Sequence, residues 1–95
     1  MRTFTLITDP GHGWLKVHLN DIYDIDLHPT EFTSYSYRDG DWMYLEEDLD
    51  AGTFLSHYEA LRGNFRIHEQ YEQNDCFVRN LPRNAAADLN DSIIF

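Results

Sequence analysis

The sequence predicts an α+β fold, a two-layer sandwich with one clear helix laid on about five mainly antiparallel strands. Three observations carry this. Thr alternates with apolar residues over Thr3 to Thr8, the period of a half-buried strand. Asp39-Gly40 stands between two strand-like runs, where a hairpin turn belongs. Phe54, Leu55, Tyr58 and Leu61 recur at helical spacing, and Gly63 follows them as a C-terminal cap.

The elements follow in order. Trp14 to Leu19 reads as a second strand. Asn20 to Ile25 is expected to make a short second helix with Ile22 and Ile25 inward, ended by His28-Pro29. Phe32 to Tyr37 and Trp42 to Glu46 are the arms of a type I′ hairpin. Pairing Arg38 with Asp41 puts Tyr37 opposite Trp42 and Tyr35 opposite Tyr44. One face of the ribbon is then Tyr, Tyr, Trp and Tyr, and the other is Ser34, Ser36, Met43 and Leu45. Asp50 suits a helix N-cap, with Leu49 stapled onto Phe54, and the helix is expected over about 51–62. Phe65, Ile67 and Tyr71 alternate with polar residues as another strand. Cys76 to Arg79 are expected to close a second hairpin through Gln73-Asn74-Asp75. The domain is expected over 1–81, followed by a polar C-terminal tail over 82–95.

Length and composition set limits. The chain has 95 residues, enough for one small domain that buries roughly 60–65 % of its unfolded surface. Six Phe, six Tyr and two Trp supply a core without staples. The single cysteine, Cys76, excludes an internal disulfide and an all-cysteine zinc site within one chain. With no charged-then-apolar leader and no long apolar run, a cytoplasmic protein is expected, with no membrane association. Seventeen acidic residues against seven Lys and Arg give a formal charge of −10. Direct binding to a nucleic-acid backbone is disfavoured by that field, and a basic protein surface is attracted by it.

The most specific stretch is Asp9-Pro10-Gly11-His12-Gly13, leading into Trp14. Pro10 fixes φ and the two glycines permit φ > 0, so a tight loop with a positive-φ glycine at Gly11 or Gly13 is expected. A His between glycines suits a ligand or a metal, and it suits an ordinary tight turn equally. His18, His28, His57 and His68 read as surface or internally satisfied residues. Glu46, Glu47, Asp48 and Asp50 suit either a divalent cation or the positive end of the helix. Cys76 has no cationic neighbour in sequence to activate its thiol. The aromatic ribbon has two readings, burial in the core or outward display as a binding surface.

Two resemblances follow from these residues. The loop resembles the opening of the zinc-dependent N-acetylmuramoyl-L-alanine amidases. That resemblance implies zinc on His12, with His68 or His57 as a second ligand and Glu31 as the carboxylate. It covers about ten residues, and the family's parallel α/β domain, nearly twice this length, does not contain the hairpin expected at Asp39-Gly40. A wider resemblance rests on Thr-Asp-Pro-Gly-His-Gly-Trp-Leu at 8–15, Ser-Tyr-Ser-Tyr at 34–37 and Tyr-Leu-Glu-Glu-Asp at 44–48. In these motifs the chain resembles a family of small proteins encoded by bacteriophages and prophages. The resemblance implies a genomic setting and no particular activity.

The expectation is a small acidic accessory protein of phage type in the host cytoplasm. It binds and inhibits or modulates a host protein with a basic surface, a nucleic-acid-handling defence complex such as CRISPR being the first to test. The binding residues would be Tyr35, Tyr37, Asp39, Asp41, Trp42, Tyr44, Glu46, Glu47, Asp48 and Asp50, with Asp9, Gly11, His12, Gly13 and Trp14 as the loop. No catalytic residue, cofactor or metal is expected, because one His loop without a second ligand pair holds zinc weakly. Two alternatives stand beside it, a metal-dependent hydrolase built on His12, and a small-ligand binder that uses the loop and the aromatics, with a homo-oligomer enclosing its pocket.

Overall fold

The computed structural model describes residues 1–73 and 76–84. It contains strands β1 (Arg2–Thr8) and β2 (Gly13–His18), helix α1 (Leu19–Asp24), strands β3 (Tyr37–Asp39) and β4 (Trp42–Glu46), helix α2 (Asp50–Arg62) and strand β5 (Phe65–Tyr71). Short 3-10 turns lie at Pro29–Glu31 and Phe77–Asn80. The strands form one five-stranded sheet in the order β3-β4-β2-β1-β5, so the fold is α+β as the sequence predicts. Three pairings are antiparallel and one, β1 with β5, is parallel. A parallel neighbour needs a crossover. Here α2 carries the chain from β4 past β2 and β1 to the far edge.

The alternation in each strand decides what each face covers. Phe4, Leu15, Val17, Met43 and Leu45 pack on one side with Phe54 and Tyr58 of α2 and with Ile22, Ile25, Leu27 and Phe32. Phe4 meets Phe54 and Tyr58 edge-on at 5.2 and 5.1 Å. The other side buries Ile7, Trp14, Tyr37 and Tyr44 under Cys76 and Val78. The helix therefore lies on the serine-bearing face of the β3–β4 ribbon. The outward aromatics Tyr37 and Tyr44 are covered by the segment after β5. Among the described residues, no helix is long and apolar enough to cross a membrane.

Several expectations change. The run Phe32 to Ser36 is a turn, not a strand, because Asp50 captures it. The Asp50 carboxylate accepts from the Thr33 N–H at 2.9 Å, the Thr33 hydroxyl at 2.8 Å and the Ser36 hydroxyl. Asp50 is consequently not an N-cap: it lies inside α2 and is 2 % exposed, and the cap position is Leu49, itself 54 % exposed. The hairpin pairs Asp39 with Trp42 and Tyr37 with Tyr44, which leaves Gly40-Asp41 as the turn. Only the first central residue has positive φ, Gly40 at +61°, the pattern of a type II′ turn and not type I′. Phe77–Asn80 form a 3-10 turn in place of a second hairpin, and part of the expected connection, residues 74–75, lies outside the described residues. Most of the expected tail, residues 85–95, also lies outside them. Its first residues run along β3: Arg38 N–H donates to Pro82 O, and the buried Asn84 side chain donates to the carbonyls of Pro29 and Phe32.

Candidate functional site

Asp9 organises the loop between β1 and β2. Its Oδ1 accepts the backbone N–H groups of Gly11 and His12, both at 2.9 Å, and its own N–H donates to His12 O. Across the fold, Arg79 donates from Nε at 2.7 Å and from Nη2 at 3.0 Å, and Cys76 N–H adds a bond at 3.2 Å. The Arg79 guanidinium, aided by these backbone donors, holds the Asp9 carboxyl far below the usual carboxylate range, against the opposing effect of burial.

Neither Gly11 nor Gly13 has positive φ; the described positive-φ glycines are Gly40 and Gly63. The loop needs glycine for a different reason, close approach. A Cβ on Gly11 would stand 3.1 Å from Arg79 Nη2, and one on Gly13 would stand 2.8 Å from Glu47 Oε2 and 3.1 Å from Thr8 Cγ2. The carbonyl of Gly13 also accepts the Glu47 N–H at 3.0 Å. The loop is thereby clamped to the β4–α2 connection on one side and to the segment after β5 on the other.

A pocket of about 490 Å³ opens between these clamps. His12 and Trp14 come from the loop and the start of β2. Tyr35 and Tyr37 come from the turn into β3, and Glu46, Asp48 and Leu49 from the end of β4. Arg79 and Arg83 come from the segment after β5. The Arg79 guanidinium lies over the Trp14 ring at 5.1 Å and Arg83 over Tyr37 at 5.2 Å. Trp14 is 2 % exposed, and its indole N–H has no acceptor among the described residues. A buried donor without a partner costs about 1–3 kcal/mol. One ring nitrogen of His12 and one carboxylate oxygen from each of Glu46 and Asp48 lie within 4.8 Å of one another. Glu46 Oε2 accepts the Asp48 N–H at 3.0 Å, which fixes the carboxylate.

The structure thus joins two sets that the sequence kept apart, His12 and Trp14 of the loop with Tyr35, Tyr37, Glu46 and Asp48 of the ribbon. It separates others. Asp39 and Asp41 sit at the turn end of β4, roughly 13 Å along the strand from Glu46. Trp42 is 40 % exposed there, with Lys16 Nζ 4.5 Å over its ring and His18 edge-on at 5.0 Å. Tyr44 is buried, and burial pushes its phenol up. Asp50 is enclosed by Thr33 and Ser36. Of the amidase ligand candidates, His57 bonds the Thr53 carbonyl on α2, His68 lies on β5, and Glu31 accepts the His28 N–H. None of the three joins His12 in a ligand group. Cys76 is fully buried, and burial raises its thiol.

Sequence reasoning missed Arg79 and Arg83. Their signal was faint: two of the seven cations of an acidic chain, both in its polar C-terminal part. Comparison with protein-family models, with curated proteins and with solved structures finds no match to this chain.

Proposed function

We propose that this chain is a binding protein, and that it holds a small polar ligand with both a positive and a negative centre in the pocket between His12 and Arg83. The observation that carries the reading is the Trp14 indole N–H, buried without an acceptor in a residue that lines the pocket. Charge on the walls supports it. Glu46 and Asp48 form no ion pair among the described residues and offer anionic groups, while Arg83 supplies a cationic one. Tyr35, Tyr37 and Trp14 provide the aromatic surface such sites use. One chain builds this pocket from four segments.

Thermal melting tests the reading with glycine, succinate and inorganic phosphate as probes of zwitterion, dicarboxylate and phosphate. A ligand at tenfold its Kd stabilises by about 1.4 kcal/mol, a rise in Tm of roughly 6–11 °C for a domain this size. Glycine is expected to give such a rise, reduced in both Arg83→Gln and Asp48→Asn, while succinate and phosphate, which lack a positive centre, are expected to give less. No rise with glycine, or the same rise in both variants, contradicts it.

A second reading keeps the expected accessory protein that inhibits or modulates a host protein with a basic surface, as a phage protein directed at a defence complex would. The formal charge of −10 and the absence of ion pairs at Asp39, Asp41, Glu47 and Asp48 among the described residues support it. Trp42 and Tyr35 add exposed aromatic area. Association with such a partner would slow as salt rises and slow further on reversing Asp39 and Asp41 to Lys. An association rate that ignores both changes removes this reading.

A further inference from the structure

The geometry points to a divalent transition-metal ion, Zn²⁺ by its donor set, as the positive centre in the pocket, held by His12, Glu46 and Asp48. The inference rests on the pocket being the binding site. Bonds of ~2.0–2.2 Å from imidazole and carboxylate to zinc place donor atoms roughly 3–3.5 Å apart around a tetrahedral ion. The three donor atoms already lie within 4.8 Å of one another, so side-chain rotations of an ångström or so close the set. His12 and Asp48 are exposed and able to rotate, while Glu46 is held by the Asp48 N–H. The imidazole favours a transition metal, because Mg²⁺ and Ca²⁺ prefer sites built from oxygen alone. Two carboxylates without an arginine or lysine partner among the described residues supply the charge that draws the cation.

A second feature of the same pocket points to an occupant. Three protein ligands leave a fourth position open on the ion. Trp14, whose indole N–H is unpartnered, and Arg83 line the pocket with this cluster, and the Arg83 guanidinium is the cation that an anion on that position would meet. The expectation of no metal rested on the lack of a second ligand pair beside the His12 loop. The ligands here come instead from the loop before β2 and from the end of β4, brought together by the Glu47 N–H bond to the Gly13 carbonyl. This donor set also differs from the one implied by the amidase resemblance, since neither His57, His68 nor Glu31 takes part.

Calorimetric titration of the full chain with ZnCl₂ in phosphate-free buffer tests the inference, with MgCl₂ as a control and with His12→Ala, Asp48→Asn and His68→Ala as variants. One zinc per chain is expected, weakened at least tenfold by His12→Ala and by Asp48→Asn and unchanged by His68→Ala. The metal-free Tm of the two exposed-ligand variants should stay at that of the parent. Absence of zinc binding, or binding that survives both substitutions, overturns the metal site. If zinc fails while glycine still stabilises the protein through Arg83 and Asp48, the pocket stands without a metal. If both fail, both readings fall.

Discussion

The carboxylate of Asp9 and the guanidinium of Arg79 form a two-point ion pair across 70 residues, at 2.7 and 3.0 Å. The same carboxylate accepts the N–H groups of Gly11, His12 and Cys76. One side chain therefore sets the loop that presents His12 and fixes the segment that covers Trp14.

That arrangement predicts an acid-sensitive stability. The folded-state pKa of Asp9 is depressed, so its contribution is present above the unfolded value of ~3.9 and is lost as pH falls toward the folded one. Asp9→Asn should lower Tm at pH 7 far more than Asp39→Asn, which removes an exposed charge. The gap between Asp9→Asn and the parent should close as the pH drops below about 4. A gap that stays constant down to pH 2 would contradict the assignment. Measurement of Tm against pH for the three proteins decides it.

Two glycine substitutions should act with opposite signs. Gly13→Ala puts a Cβ 2.8 Å from Glu47 Oε2, the end of an exposed side chain that can swing aside, and 3.1 Å from Thr8 Cγ2, so it should destabilise by at most about 1 kcal/mol. Gly52 lies within α2, and nothing stands within 4 Å of a Cβ placed there, so Gly52→Ala should stabilise by roughly 0.5–1 kcal/mol. Urea unfolding of both variants reads the two signs directly.

Two aromatic truncations should separate surface from core. Phe54 is fully buried against Phe4 and Tyr58, and Phe54→Ala should cost about 3–5 kcal/mol. Trp42 is partly exposed and rests on Lys16 and His18, so Trp42→Ala should cost about 1 kcal/mol. Equal losses in urea unfolding would mean that Trp42 belongs to the core.

Much of the fold was legible because its signals are local. The alternation of Thr3 to Thr8, the stripe Phe54 and Tyr58, and the inward Ile22 and Ile25 each follow from period alone. What failed depends on partners far away in sequence. Asp50 looks like a helix cap, but its Oδ2 is taken by Thr33 and Ser36, 17 and 14 residues earlier. That capture also turns the strand-like alternation of Phe32 to Ser36 into a turn. The alternation of Phe65, Ile67 and Tyr71 announces a strand without saying that its neighbour is β1 and parallel. At the site, His12 and Trp14 stood out through their loop, whereas Arg79, Arg83 and the approach of Glu46 and Asp48 to His12 exist only once the chain has folded.

The indole N–H resonance of Trp14 in a ¹H–¹⁵N spectrum tests the pocket most directly. The chain has two tryptophans, so Trp42→Phe assigns the two signals. Titration with ZnCl₂, and with glycine in a separate metal-free sample, should move the Trp14 signal while that of Trp42 stays in place. A Trp14 signal that holds still under every titrant would contradict the account.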